Sequence, residues 1–171
     1  FDNFEEKRFE GENEAYICSL IRHDEVEEFV AYVNKNNFYL SSDIEPSIFE
    51  TNSFLINKSP SLIEYAAFYG SIKIFNYLKF NNVEIKSDIW YYAIHSNNAE
   101  MIHLIEKIDT KPSLEIYEEC YKESIKCHHN AIANYIRDSF LNIENENEFK
   151  EKTILYGFRF TNYLLLPENF D

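Results

Sequence analysis

The stretch Ser61-Leu62-Ile63-Glu64-Tyr65-Ala66-Ala67-Phe68-Tyr69-Gly70-Ser71-Ile72-Lys73-Ile74-Phe75-Asn76-Tyr77-Leu78 reads as two short amphipathic helices joined at a glycine. Ser61 stands where its hydroxyl can cap the first helix. Ala66 and Ala67 are small where neighbouring helices must approach closely, and a bulky or charged residue there would overpack. Gly70 supplies the left-handed backbone of a tight turn. Ile72, Ile74, Phe75 and Leu78 then keep helical spacing, and Asn81-Asn82 closes the second helix with residues that tolerate the left-handed region.

The layout recurs. Twenty-seven residues on, Asp88 to Ile105 repeats it, with Asp88 as the cap, Ala93 as the small residue and Asn97 in the place of Gly70. Thirty-one residues further, Glu119 to Ile136 repeats it with Ser124-Ile125 where Ala66-Ala67 stood. A looser copy runs from Asn13 to Asn36, in which Leu20-Ile21 falls on Ala66-Ala67 and Phe29 on Phe75; an end repeat of this kind can act as a cap. Self-similarity at such periods marks a solenoid, and solenoids work as binding surfaces.

Around these copies the chain divides into an extension (1–12), a first divergent pair (13–36), a connector (37–60) and three further pairs (61–85, 88–107 and 114–141). The connector is expected to hold a short helix around Ser47 to Ile56, and its apolar residues to pack across the stack. Lys111-Pro112-Ser113 breaks the chain before the fourth pair. The last segment, 148–166, is expected to be one helix ended by Pro167, or the start of a further repeat. Its Tyr163-Leu164-Leu165-Leu166 run should be buried on the preceding pair or on a neighbouring segment.

At 171 residues, 45% apolar and 17% aromatic, the chain can fill a real core. Sixteen basic against 30 acidic residues leave a net charge of −14. That charge disfavours nucleic acid and anionic membranes and would steer a basic protein partner inward. No apolar run is long enough for a membrane span. The lack of an initiator Met suggests a segment of something longer. Three cysteines imply no disulfide framework, so a reducing compartment, cytosol or nucleus, is expected.

The residues also carry a resemblance. Ser61 to Ile85 resembles an ankyrin repeat without gaps: Ser61-Leu62-Ile63-Glu64-Tyr65-Ala66-Ala67-Phe68-Tyr69-Gly70 follows the family's Thr-Pro-Leu-His-x-Ala-Ala-x-x-Gly. The blocks Ala66 to Phe75, Trp90 to His95, Ser124 to His129 and Phe158 to Tyr163 resemble divergent ankyrin-like domains of unknown function, which form large paralogous sets in some protozoa. Leu62 and Glu64 replace the family's Pro and His, and the 27-residue interval is about six residues short of the usual period. The resemblance therefore implies an all-α, ankyrin-like solenoid of stacked antiparallel helix pairs with few or no β-hairpin fingers.

It further implies a groove along the first helices. Position by position this gives Tyr65, Phe68 and Tyr69 from the second pair, Tyr92, His95 and Ser96 from the third, and Glu123, Lys126 and Cys127 from the fourth. Tyr-rich edges of this kind bind proteins well. The competing expectation is that these aromatics pack under the connector. Cys120, Cys127, His128 and His129 are zinc-ligand types without a zinc spacing, so no metal is expected. His95 and His103 read as a surface and a packing residue, respectively.

Three scattered glycines build no phosphate or dinucleotide loop, and no nucleophile elbow or His-Glu-x-x-His occurs. Glu25, Glu27 and Glu28, like Glu115, Glu118 and Glu119, suit solvated helix faces. The expected function is a non-catalytic, cofactor-free protein-interaction or scaffolding module. A cytoskeletal assembly component, or a small-molecule or metal-binding helical domain, remains the alternative.

Overall fold

The computed structural model describes residues 3–108, 110 and 112–166. Among them every regular element is a helix, and the only β-type pairing is an isolated bridge between Asp43 and Ser61. The chain divides into two compact units, Phe1–Ile85 and Lys86–Asp171.

In the first unit a short helix α1 (Phe4–Glu10) precedes α2 (Tyr16–Arg22) and α3 (Val26–Asn36), and the connector leads to α4 (Leu62–Tyr69) and α5 (Ile72–Phe80). Within this unit α2 packs on α3, α4 on α5, α2 on α4 and α3 on α5, so the two pairs lie side by side. Their seam is apolar: Leu20, Ile21, Phe29, Leu62, Ile63, Ala66, Ala67, Ile74, Phe75 and Leu78 are all buried. The start of α4 is fixed by a capping box in which the Ser61 hydroxyl accepts from the Glu64 amide while the Glu64 carboxylate accepts from the Ser61 amide.

The connector is not helical at Ser47 to Ile56; it forms successive turns there. Asx-type bonds explain why, because the Asn52 carboxamide accepts from the Phe54 amide and Glu50 accepts from the Asn52 amide, offering the backbone partners outside a helix. The segment is held at both ends. Thr51 bonds the Gly11 carbonyl through its amide and its hydroxyl, and Ile44 N–H donates to Pro60 O. Ile44 and Leu55 are buried, as packing across the helices requires.

In the second unit α6 (Ile89–Ala93) passes into a 3₁₀ turn (Ile94–Ser96), followed by α7 (Ala99–Glu106), α8 (Leu114–Lys126), α9 (Asn130–Phe140) and α10 (Glu146–Arg159). Here α6 packs on α7 and α8, α8 on α9, and α10 on α8. Trp90 is buried with its ring edge against Tyr117 and Phe140, which stack 4.5 Å apart. Asp88 precedes α6, but its side chain makes no capping bond, because its backbone is already helical and an N-cap side chain needs an extended one.

The C-terminal segment departs from the single helix expected. The helix α10 stops at Arg159, Thr161 adopts a left-handed backbone (φ 55°), and a 3₁₀ turn covers Tyr163–Leu165. Leu166 folds back over Gly157, where an added methyl would stand 2.9 Å from Leu Cδ2 and 3.2 Å from the Asn162 carbonyl oxygen. Leu164, expected to be buried, is 87% exposed. Pro167 lies outside the described residues.

That ending exposes the repeat. A buried small or apolar residue, then a left-handed residue, then an amide bonded back five positions ends the first helix of a pair at Leu20/Asp24/Glu25, Ala66/Gly70/Ser71 and Ser124/His128/His129, and ends α10 at Gly157/Thr161/Asn162; the same stop ends α3 at Val33/Asn37/Phe38 and α5 at Leu78/Asn82/Val83. At the first four the returning N–H···O distances are 3.1, 2.9, 2.9 and 2.8 Å, the helix-terminating geometry that satisfies orphan carbonyls. At Ala93/Asn97/Asn98 the Ser96 hydroxyl mediates instead: it donates to Ala93 O (2.7 Å) and accepts from Asn98 N–H (3.2 Å).

At three of the turns the next residue also stitches one pair to the one before. Ser71 Oγ donates to Ile21 O (2.5 Å), the His129 ring meets Ile94 O (2.8 Å), and Asn162 Nδ2 donates to Ile125 O (2.8 Å). Three different side chains thus serve one position.

Candidate functional site

Aligning the turns puts Arg22, Phe68, His95 and Lys126 at one position, two residues beyond the small residue. Tyr65/Tyr69 and Glu123/Cys127 occupy a second, spaced i,i+4 so that both members of each pair project from one helix face. At two junctions the structure brings the first position of one pair between the two members of the next.

The junction in the first unit is closed. Arg22 Nη1 donates to Tyr65 Oη (3.0 Å) and to Asn13 O (2.9 Å), and its Nε lies 2.7 Å from Glu12. Tyr65 is 1% exposed, with the Tyr69 ring 4.8 Å away. Phe68 is buried and stacks on Phe54 of the connector at 5.9 Å. Burial pushes the Tyr65 phenol well above its usual range, the Tyr69 phenol up to about 12 and the neighbouring Cys18 thiol up to about 12. The expected exposed aromatic edge is therefore absent here. Tyr65 and Phe68 are core because the connector roofs them, and Tyr69 is half-buried.

The junction in the second unit has other chemistry. His95 Nδ1 lies 3.4 Å from Cys127 Sγ, and His95 Nε2 lies 3.5 Å from Glu123 Oε1. One donor atom from each of the three residues falls within 4.8 Å of the other two. The His95 side chain is 8% exposed and that of Glu123 18%. His95 is thus a packing residue and His103 the surface one, the reverse of the expectation; His103 stands beside Glu106 with its ring edge against Tyr135. Burial pushes the Cys127 thiol up to about 11, so it is protonated at neutral pH. Lys126, exposed, pairs with Glu123 Oε1 at 2.8 Å.

Of the nine groove candidates, Tyr92 is buried and the Ser96 hydroxyl is engaged within its turn. His95, Glu123, Lys126 and Cys127 come together. The zinc-type set Cys120, Cys127, His128 and His129 does not: Cys120 is buried, His128 meets Phe160 O, and His129 meets Ile94 O. Sequence reading placed His95, Glu123 and Cys127 on one edge but missed their convergence. The signal was available in the repeat, since His95 takes Arg22's place and Glu123 and Cys127 take those of Tyr65 and Tyr69.

A second surface lies on α10 and the turn after it, where Leu155, Phe158, Tyr163 and Leu164 are exposed. Phe158 sits one residue after Gly157, the position held elsewhere by the fully buried Ile21, Ala67, Ile94 and Ile125. Among the described residues no helix is long and apolar enough to cross a membrane. No family model, curated protein or solved structure matches the chain.

Proposed function

We propose that this chain is a non-catalytic protein-interaction or scaffolding module of ankyrin-like helix pairs. The observation that carries the reading is the repeated turn, with its small buried residue, left-handed residue and five-residue return bond, stitched at one position to the preceding pair. Ser124 to Gly157 spans 33 residues, the ankyrin period. Such repeats are supports for surfaces rather than for enclosed reaction chambers. Three free cysteines suit a reducing compartment, cytosol or nucleus.

The docking face is the outer side of α10 with its following turn, where the pattern's buried position becomes the half-exposed Phe158. The partner is a protein with apolar side chains for Phe158, Tyr163 and Leu164 and a basic rim complementary to the net charge of −14. The test is quantitative capture from the native cell with Phe158→Ser/Leu164→Ser as the control. The expected result is a protein retained by the parent chain and lost by the variant, at unchanged melting temperature. Retention by both would overturn the assignment. Self-association of the parent chain in sedimentation, abolished by the same variant, would replace partner docking with assembly.

A further inference from the structure

We propose that His95, Glu123 and Cys127 form a binding site for a borderline-soft divalent cation of the Zn²⁺ class. Tetrahedral zinc holds thiolate sulfur at about 2.3 Å and imidazole nitrogen at about 2.0–2.1 Å, which places those two atoms about 3.5 Å apart. The Cys127 Sγ to His95 Nδ1 distance is 3.4 Å. Glu123 Oε1 stands nearer the other ring nitrogen, 3.5 Å from Nε2, yet one ligand atom from each of the three residues falls within 4.8 Å of the others, so a small turn of the carboxylate or the ring completes a three-donor set on one nitrogen. Its i,i+4 relation to Cys127 makes one helix end supply two ligands, while the 3₁₀ turn after α6 supplies the third.

Charge and softness agree with this assignment. A thiolate and a carboxylate neutralise a divalent ion, and neutral imidazole adds no charge. Binding breaks the S–H bond, transfers that proton to solvent and forms a metal–sulfur bond; no redox change occurs. Three protein donors leave a fourth position for water or for a group from a partner. Lys126 competes for Glu123 Oε1 from the solvent side, and its exposed ammonium can swing away. The equivalent junction in the first unit shows what a purely structural solution looks like: Arg22 and two phenols, none a ligand for zinc at neutral pH.

The probe is Co²⁺ alone, titrated into the whole chain under a non-thiol reductant. The expected result is one equivalent bound, with near-ultraviolet thiolate-to-cobalt charge transfer and the strong visible bands of a four-coordinate ion, both displaced by Zn²⁺. Cys127→Ser removes the charge-transfer band. Glu123→Gln keeps the shape of the site and weakens binding by at least about tenfold, while Lys126→Ala leaves affinity equal or tighter. Circular dichroism checks that each variant is folded. No charge-transfer band, or a band that survives Cys127→Ser, would overturn the proposal. So would rapid alkylation of Cys127 at neutral pH without metal uptake, which would mark a thiol–imidazole nucleophile instead.

Discussion

The two units solve the same junction in opposite ways. In the first, Arg22 reaches Tyr65 beneath a roof formed by the connector, and the contact is sealed. In the second, His95 stands between Glu123 and Cys127, with Lys126 at the solvent edge. Backbone register is shared; side-chain chemistry is not. A repeat scaffold fixes where a side chain goes and leaves open what it does there, so one position can be core in one copy and a ligand set in another.

The largest effect should come from breaking what the units share. Ala66→Glu and Ala93→Glu each put a carboxylate at a fully buried position, at a cost of more than about 4 kcal/mol. Each variant should lose its cooperative melting transition, and retention of the parental midpoint in either would contradict the packing. Next comes the closed junction. Tyr65→Ala should cost about 3–5 kcal/mol by chemical denaturation, whereas Glu123→Ala at the open junction should cost under about 1 kcal/mol.

The closed junction should also make the protein alkali-sensitive. Unfolded thiols and phenols release their protons near 9.0 and 10.0, while burial holds Cys18 and Tyr69 protonated up to about 12 and pushes Tyr65 up as well. The unfolded state therefore sheds protons first, and folding stability falls as pH rises above about 9. Tyr65→Phe should flatten that fall in a series of thermal melts from pH 8 to pH 11. An unchanged slope would show that Tyr65 titrates normally.

Much of the closed region was legible in the sequence. Ser61 with Glu64 three residues later is a capping box, and Gly70 after Ala66-Ala67 is a helix stop; both are local chemistry. The fifth copy of the turn was harder to see. Leu20, Ala66, Ser124 and Gly157 share burial rather than identity, and Asp24, Gly70, His128 and Thr161 share only a left-handed backbone. The connector's packing over the aromatics stood as one of two expectations, and local pattern could not choose between them. Whether Phe54 covers Phe68 depends on a long-range approach that no local pattern encodes. His95 misled because an imidazole suits surface and interior equally well, and only its partners, found 28 and 32 positions later, decide between them.

Arg22→Lys sharpens the contrast at intermediate size. A single ammonium cannot reproduce the forked contacts to Asn13 O, Tyr65 Oη and Glu12, so a loss of about 1–2 kcal/mol is expected. Lys126 occupies the aligned position in a later copy, yet Lys126→Ala should change stability by less than about 0.5 kcal/mol. Its ammonium touches only the Glu123 carboxylate among the contacts that define the open junction, it does so from the solvent side, and salt screens that pair. Denaturant midpoints for the two variants at low and high ionic strength separate the readings: most of the Arg22→Lys loss should persist in salt because Asn13 and Tyr65 are buried, and only the half-exposed Glu12 pair is screened. Equal losses for both variants would mean that the two junctions are energetically alike, and the distinction between a sealed contact and an open ligand set would fail.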